Sequence, residues 1–131
     1  MCIRDSYTTT KGVLEKVKAH VDDVDFAVQP EILSLLSSGN FGKYADEKGE
    51  MKVCFISNND ITGGNSGSAM FNSKGELLGL AFDGNWEAMG SDILYEPKMQ
   101  RTIGVDVRYI LFMIEKYGKA GNLIQELNIL N

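Results

Sequence analysis

The chain has 131 residues, 44% of them hydrophobic, and a formal net charge of -5 at pH 7. This length corresponds to one domain, which is large enough to bury a core. Acidic and basic residues alternate and no apolar run is as long as a membrane helix, so we expect neither nucleic-acid binding nor a membrane span.

The first six residues, MCIRDS, lack the apolar middle region of a signal peptide. They resemble a string found at the head of many translated metagenomic fragments, so we predict that residues 1–6 are adapter-derived and that the native segment is 7–131. Cys54 is then the single native cysteine, which excludes an internal disulfide. Its place in an apolar run predicts a buried structural thiol.

The first half of the chain combines strand and helix signals. The β-branched start of residues 7–17 favours a strand, although the segment from Gly12 onward could equally begin a helix. Residues 29–42 predict a helix, since Pro30 suits its first turn and Gly39 can end it. The strands predicted further on are KVCFISN (52–58), SAMFN (68–72), ELLGLAFD (76–83) and RTIGVDV (101–107), with NSKG (72–75) as a tight turn.

Two helices are predicted to close the chain. Asp106 is placed to cap a helix over about 106–118 that ends at Gly118, and a second helical stretch follows over about 121–129. The apolar residues that share one face of the first helix are Ile110, Met113, Ile114 and Tyr117. The predicted fold class is therefore mainly β with C-terminal helices.

The loop TGGNSGS (62–68) contains the pattern glycine, any residue, serine, glycine at residues 64–67. Acyl transfer needs a nucleophile beside backbone N–H groups that stabilise an oxyanion, and glycines permit the dihedral angles that aim those groups inward. The four letters alone are more often a polar turn between strands. The flanking strands argue against a flexible linker.

The wider pattern favours a catalytic loop. A strand, GNSGS, a hairpin and a strand that ends at FDGNW (82–86) resemble the second barrel of chymotrypsin-like double-barrel serine peptidases. With SDILYEP and the run from RTIGVDV to IQEL, the chain resembles the C-terminal part of the bacterial serine dipeptidyl-peptidases of family forty-six. This family includes dipeptidyl-peptidases 7 and 11, and the resemblance covers most of residues 7–128.

The resemblance implies a nucleophile and an oxyanion hole. Ser66 would be the nucleophile, and the backbone N–H groups of Gly64 and Ser66 would form the oxyanion hole. Ser68 would then be structural. The family usually has proline after GNSGS where this chain has Ala69, and the proline would stiffen the loop.

The resemblance also implies substrate-binding residues. Asp83 would hold the free α-amine of a peptide substrate by a charge-assisted hydrogen bond, so that dipeptides are released from a free N-terminus. Gly84 would leave the pocket for the second residue neutral and suited to bulky apolar side chains, as in the dipeptidyl-peptidase 7 type, and Phe82 lies on the segment that walls this pocket. Alternatively, Asp83 is a solvated aspartate at a strand end and Gly84 relieves a turn. We expect Trp86 and Glu87 to serve in packing and loop support.

A serine nucleophile needs a base, usually histidine, and a carboxylate that orients it. The single histidine, His20, is followed by Asp22 and Asp23, but in the family both triad partners come from an upstream barrel, so we predict an exposed His20. The isolated chain should then be inactive. Its expected partners are the missing N-terminal part of the same enzyme, a peptide with a free N-terminus and, at full length, a second copy in a homodimer.

The family implies a periplasmic or secreted, cell-surface location, and no cofactor or metal is expected. Two alternatives stay open: an endopeptidase of the same barrel fold, and a non-catalytic interaction module. The carboxylate of Asp83 argues against the first. The intact GGNSGS together with Asp83 and Gly84 argues against the second.

Overall fold

The computed structural model describes residues 7–90 and 93–130, so the segment 1–6 predicted to be adapter-derived lies outside the described residues. The chain divides into two compact units. The first unit contains Val53–Val107 and the described residues that precede Thr9. The second unit contains Thr9–Lys52 and the residues from Arg108 onward.

A five-stranded sheet in the order β1-β2-β5-β4-β3 contains all the predicted strands. Neighbouring strands pair antiparallel from β2 through β5 and β4 to β3, which confirms the predicted sheet. The strands are β1 (Tyr7–Thr9), β2 (Lys52–Ser57), β3 (Ala69–Phe71), β4 (Leu77–Gly84) and β5 (Thr102–Asp106).

Both readings of residues 7–17 hold in part, because β1 is followed directly by helix α1 (Thr10–Ala19). Helix α2 (Pro30–Ser37) has Pro30 in its first turn, as predicted, and buries Leu36. Gly39 follows it with a φ of +66°, a left-handed conformation that glycine adopts at low cost at a helix end. The predicted hairpin turn is also present, because the N–H of Gly75 donates to the carbonyl of Asn72 at 3.0 Å.

The core of the first unit is formed by Ile61, Met70 and Ala81, against which Phe55 packs. Two glycines of the sheet make room for the Phe55 ring. A Cβ atom on Gly104 would lie 2.7 Å from this ring, and one on Gly79 would also collide with the carbonyl oxygen of Val105. The close approach of chain and ring therefore requires glycine at both positions.

The C-terminal helices differ from the prediction in detail. Helix α3 (Val107–Phe112) follows Asp106 and continues as a π-helical turn, Met113–Tyr117, that ends at Gly118 as predicted. Helix α4 (Gly121–Gln125) ends four residues before the predicted boundary. The buried residues of α3 are Leu111 and Phe112, which do not belong to the predicted apolar face.

Aromatic packing in the second unit explains why Phe112 is the most deeply buried residue of α3. The ring of Phe112 meets the edges of Phe41 and Tyr44 at centroid distances of 5.7 and 6.0 Å. Edge-to-face pairs of this kind stabilise a core beyond the area that they bury. Phe41 and Tyr44 lie about 70 residues away in sequence, so they select the buried side of α3 without leaving a local signal.

Cys54 is half-buried in β2 rather than fully buried as expected. Burial raises the pKa of its thiol, so the thiol stays protonated near neutral pH. Throughout the described ranges, no helix combines the length and the apolar character needed to cross a membrane.

Candidate active site

The loop between β2 and β3 is closed by its own hydrogen bonds. The N–H of Thr62 donates to the Asn65 side-chain oxygen at 2.9 Å, and the N–H of Asn65 donates back to the Thr62 carbonyl at 3.2 Å. The N–H of Ser68 donates to the Asn65 carbonyl at 2.9 Å. Asn65 therefore folds the segment into a defined turn, as asparagine commonly does.

The returning half of this loop is fastened to β4. The N–H of Gly67 donates to the carbonyl of Ala81 at 2.7 Å, and the N–H of Ala81 donates to the carbonyl of Ser68 at 2.8 Å. This pairing brings Ser66 to Phe82, the next residue of β4. The Ser66 hydroxyl donates to the Phe82 carbonyl oxygen at 3.1 Å, and Ser66 is exposed to solvent.

The backbone N–H groups of the loop fall into two sets. Those of Asn65, Gly67 and Ser68 donate to carbonyl oxygens. Those of Gly63, Gly64 and Ser66 have no acceptor in the part of the chain that the structure describes. Gly64 and Gly67 adopt φ values of +94° and +85°, which glycine reaches without strain. Within the described residues, the loop thus holds three unused donors, two before the serine and one on it.

The end of β4 carries the other three predicted site residues. Pairing with β5 shifts between Ala81 and Asp83, so Phe82 is an extra residue in the strand. A bulge of this kind re-aims side chains next to functional sites. The Phe82 side chain is 59% exposed, and the exposed Asp83 carboxylate accepts a hydrogen bond from the N–H of Gly84 at 2.7 Å.

Gly84 has two apolar side chains of the same unit, Ala88 and Ile61, as its nearest neighbours. A Cβ atom at this position would lie 2.8 Å from the Ala88 methyl group and 3.4 Å from Cγ2 of Ile61. Gly84 does not have a positive φ, so the turn itself does not require glycine. The close contact with Ala88, in the 3-10 turn Trp86–Gly90, explains why a residue without a side chain occupies position 84.

Sequence analysis missed the role of Asn85, which follows Gly84. Its backbone N–H donates to the carbonyl of Arg101 at 2.9 Å, and its side-chain oxygen accepts from the N–H of Arg101 at 2.8 Å. Its side-chain amide donates to the carbonyl of Met99 at 2.9 Å and to the Glu87 carboxylate at 2.7 Å. The signal available in the sequence was an asparagine directly after a strand, where its side chain often bonds the backbone.

The roles predicted for Glu87 and Trp86 have different outcomes. Glu87 supports the loop as expected, through its bond from Asn85. Trp86 is 82% exposed, so the packing role expected for it is not observed among the described residues. In this short turn Ala88 faces inward, which leaves Trp86 on the outer side.

His20 belongs to the second unit and is only half-buried, so the prediction of an exposed histidine was wrong. Its ring stacks on that of Phe26 with centroids 4.2 Å apart, which covers one ring face. The hydroxyl of Ser66 donates to a carbonyl and not to an imidazole. Among the residues described, no three His, Cys, Asp or Glu side chains are grouped to hold a metal ion.

Comparison with known proteins extends over nearly the whole chain. The family model "Peptidase S46" matches residues 3–129. Dipeptidyl-peptidase 7 of Porphyromonas endodontalis is 60% identical over 94% of this chain, and the protein of the same name from Porphyromonas gingivalis is 58% identical over 95%. An Asp/Glu-specific dipeptidyl-peptidase of Porphyromonas gingivalis is 46% identical over 93%.

The fold matches as well. The crystal structure of Porphyromonas endodontalis DPP11 in complex with the dipeptide Arg-Glu superimposes with a TM-score of 0.84 over 92% of this chain, at 42% sequence identity. The chain spans only 15% to 17% of the length of these relatives and 17% of that crystallised chain. It is therefore similar to one segment of much longer proteins. Because the family model covers almost all of its residues, the chain belongs to the peptidase S46 family.

Proposed function

We propose that the full-length protein carrying this chain is a serine dipeptidyl-peptidase that releases dipeptides from free N-termini and prefers a bulky apolar second residue. The observation that carries this proposal is the loop in which Ser66 lies against β4, with its own N–H and that of Gly64 unused among the described residues. The relatives named dipeptidyl-peptidase 7 and Asp/Glu-specific dipeptidyl-peptidase support the reaction class.

Ser66 is the proposed nucleophile. Its Oγ attacks the carbonyl carbon of the second substrate residue, its proton passes to a base, and the N–H groups of Gly64 and Ser66 donate to the oxyanion that forms. Collapse of this intermediate breaks the peptide bond while the protonated base returns its proton to the nitrogen of the leaving amine. Water then attacks the acyl-enzyme and releases the dipeptide.

The exposed carboxylate of Asp83 is the proposed partner of the substrate amine. It directly follows Phe82, the residue whose carbonyl oxygen accepts the Ser66 hydroxyl. The amine of the substrate lies two residues before the scissile bond, and a dipeptide in extended form spans at most about 7 Å. Asp83 is near enough in sequence to the residue that contacts Ser66 to be proposed as the partner of this amine. A charged partner here selects a free N-terminus, because an acylated one has no charge to pair.

The proposed preference for apolar second residues follows from the surroundings of Gly84. Ile61 and Ala88 lie next to the α-carbon of Gly84, and both are buried. These three residues carry no charge, so a carboxylate side chain buried beside them would lose its hydration without gaining a partner. A bulky apolar side chain loses nothing there and gains contacts.

The remaining parts of the proposal concern the complete enzyme. The histidine and aspartate of the triad would come from an upstream segment, and Ser66 would belong to the second barrel of a trypsin-like fold. We further propose that the complete enzyme is a homodimer located in the periplasm or at the cell surface. Without the upstream base, turnover falls by about six orders of magnitude, so this chain alone should be inactive.

Hydrolysis of dipeptidyl amide substrates by the purified full-length protein tests the proposal. Substrates with leucine or phenylalanine as second residue should be cleaved when the N-terminus is free and not when it is acetylated. Substrates with aspartate or glutamate should be poor. Equal cleavage of acetylated substrates would identify an endopeptidase instead, and a folded but inactive protein would favour an interaction module.

A further inference from the structure

A Cβ atom added to Gly84 would clash with one neighbouring atom and would lie at normal distances from the next two. Of the three atoms nearest to a Cβ on residue 84, only the Ala88 methyl carbon lies closer than 3.0 Å, at 2.8 Å. The next two are Cγ2 of Ile61 at 3.4 Å and the carbonyl oxygen of Arg101 at 3.9 Å, both near normal contact distances. One methyl group therefore decides whether a side chain fits at position 84.

Ala88 cannot easily move away. Its side chain is a single methyl group with no rotamer to change, and the residue is only 9% exposed. Its N–H donates to the carbonyl of Asn85 at 2.9 Å, and Asn85 is in turn bonded on both sides to Arg101. Relief of a clash would require the whole turn Trp86–Gly90 to shift against these bonds.

Residue 84 has an ordinary backbone conformation, because its φ is not in the left-handed region. A side chain there would cost no backbone strain, and the obstacle is the Ala88 methyl group alone. Without this methyl, the nearest of these three atoms would be Cγ2 of Ile61 at 3.4 Å, so Gly84 would have room for a Cβ atom. Replacing Ala88 by glycine should therefore open position 84.

We propose that Ala88 is a second specificity-determining residue, which keeps the substrate pocket neutral by excluding any side chain from position 84. In this proposal residues 84 and 88 act as a pair: a cationic side chain at 84, which would bind an acidic substrate residue, is accommodated only when residue 88 lacks its methyl group. The part of this proposal that concerns substrate preference rests on the function proposed above. The part that concerns the steric clash between residues 84 and 88 does not depend on that function.

Thermal unfolding of full-length variants tests the steric part. Gly84→Ala should lower the melting temperature by about 2 to 4 °C, because the added methyl group overpacks the site. Ala88→Gly should cancel most of that loss in the double variant. The matched control is Gly90→Ala in the same turn, where a Cβ atom meets no atom of the described residues within 4 Å, and its melting temperature should not change by more than about one degree. A Gly84→Ala variant as stable as the parent would overturn the proposal.

Substrate preference tests the specificity part. The ratio of kcat/KM for acidic over apolar second residues should rise at least about tenfold more in Gly84→Arg/Ala88→Gly than in Gly84→Arg alone, because only the double variant places the guanidinium without distortion. Gly90→Ala, the control variant in the same turn, should keep the apolar preference. An equal switch in both arginine variants would contradict the proposal. If the parent enzyme cleaves no dipeptide at all, the proposed function fails, and the unfolding measurements still decide whether residues 84 and 88 are coupled.

Discussion

The hydroxyl of Ser66 donates a hydrogen bond to the carbonyl oxygen of Phe82 at 3.1 Å, across 16 residues of sequence. This bond joins the glycine-rich loop to the strand end that carries the proposed substrate-binding residues. For the serine to act as a nucleophile, the hydroxyl must exchange this acceptor for a base. The two proposed parts of the site are thus neighbours before any substrate is bound.

Replacement of Ser66 by alanine should reduce turnover by the full-length enzyme about 10⁶-fold, because no other group takes over the covalent step. Stability should change by less than about 0.5 kcal/mol, since the residue is exposed. Steady-state kinetics and a melting curve measure both effects. Ser68→Ala should stay active, because the bonds of Ser68 to Asn65 and Ala81 are made by its backbone. Loss of activity in Ser68→Ala with full activity in Ser66→Ala would reverse the assignment.

Replacement of Asp83 by asparagine should lower kcat/KM for free N-termini by about 10-fold to 100-fold, the range expected when a charge-assisted hydrogen bond is lost. Kinetics with free and acetylated forms of one substrate measure the effect, and the ratio between the two forms should fall towards one. Asp22→Asn, an exposed carboxylate of the second unit, is the control and should leave the ratio unchanged. An unchanged ratio in Asp83→Asn would remove Asp83 from amine binding.

Glu115 should make part of the stability depend on pH. Hydrogen bonds from Lys116 and from the Tyr44 hydroxyl lower the pKa of this carboxylate from its usual 4.5 to about 2. A depressed pKa in the folded state means that the contribution is complete above about pH 4.5 and is lost as the pH falls towards 2. Lys43 and Lys116 are about half exposed, so solvent screening limits the ion-pair contribution to less than about 1 kcal/mol.

Melting curves of Glu115→Gln between pH 2 and pH 7 check this expectation. The variant should lose stability relative to the parent at pH 7, and the difference should shrink below pH 4.5. Tyr44→Phe is the companion variant. It should be less stable by about 1 to 3 kcal/mol at pH 7, because a buried ring loses its bond to a charged acceptor. Parallel pH profiles for parent and Glu115→Gln would contradict the assignment.

Gly79 should tolerate no side chain. A Cβ atom there would collide with the Val105 carbonyl oxygen and lie 2.8 Å from the Phe55 ring, so Gly79→Ala should cost about 1 to 3 kcal/mol. Gly12→Ala is the matched substitution in helix α1, where no described neighbour lies within 4 Å of an added Cβ atom, and it should stabilise by about 0.5 to 1 kcal/mol. Thermal unfolding of both variants measures the contrast. Equal effects would mean that the sheet adjusts around position 79.

The sequence predicted the strands well because each carries a local signal. Apolar runs bounded by turn residues define β2 and β4, and the NSKG turn fixes the hairpin between β3 and β4. Residues 7–17 were ambiguous, since β-branched residues favour a strand where helical spacing has already begun. Both signals were correct over different residues, and no local pattern marks the change at Thr10.

The parts that escaped prediction depend on contacts between distant residues. The burial of Phe112 depends on Phe41 and Tyr44, and the role of Asn85 depends on Arg101. The loop could be located from its glycines alone, whereas the absence of acceptors for the Gly64 and Ser66 N–H groups required coordinates. The roles proposed for Asp83 and Gly84 rest on the family resemblance, because no local pattern distinguishes them from a strand-end aspartate and a turn glycine.

Covalent labelling of the full-length enzyme with a fluorophosphonate tests the central claim most directly. This reagent phosphonylates an activated serine, and mass spectrometry of the digested protein identifies the modified residue. The account predicts one adduct, on Ser66, that forms in parallel with loss of dipeptidyl-peptidase activity and is absent from Ser66→Ala. An adduct on a different serine in an enzyme whose activity is lost at the same rate would show that Ser66 is not the nucleophile.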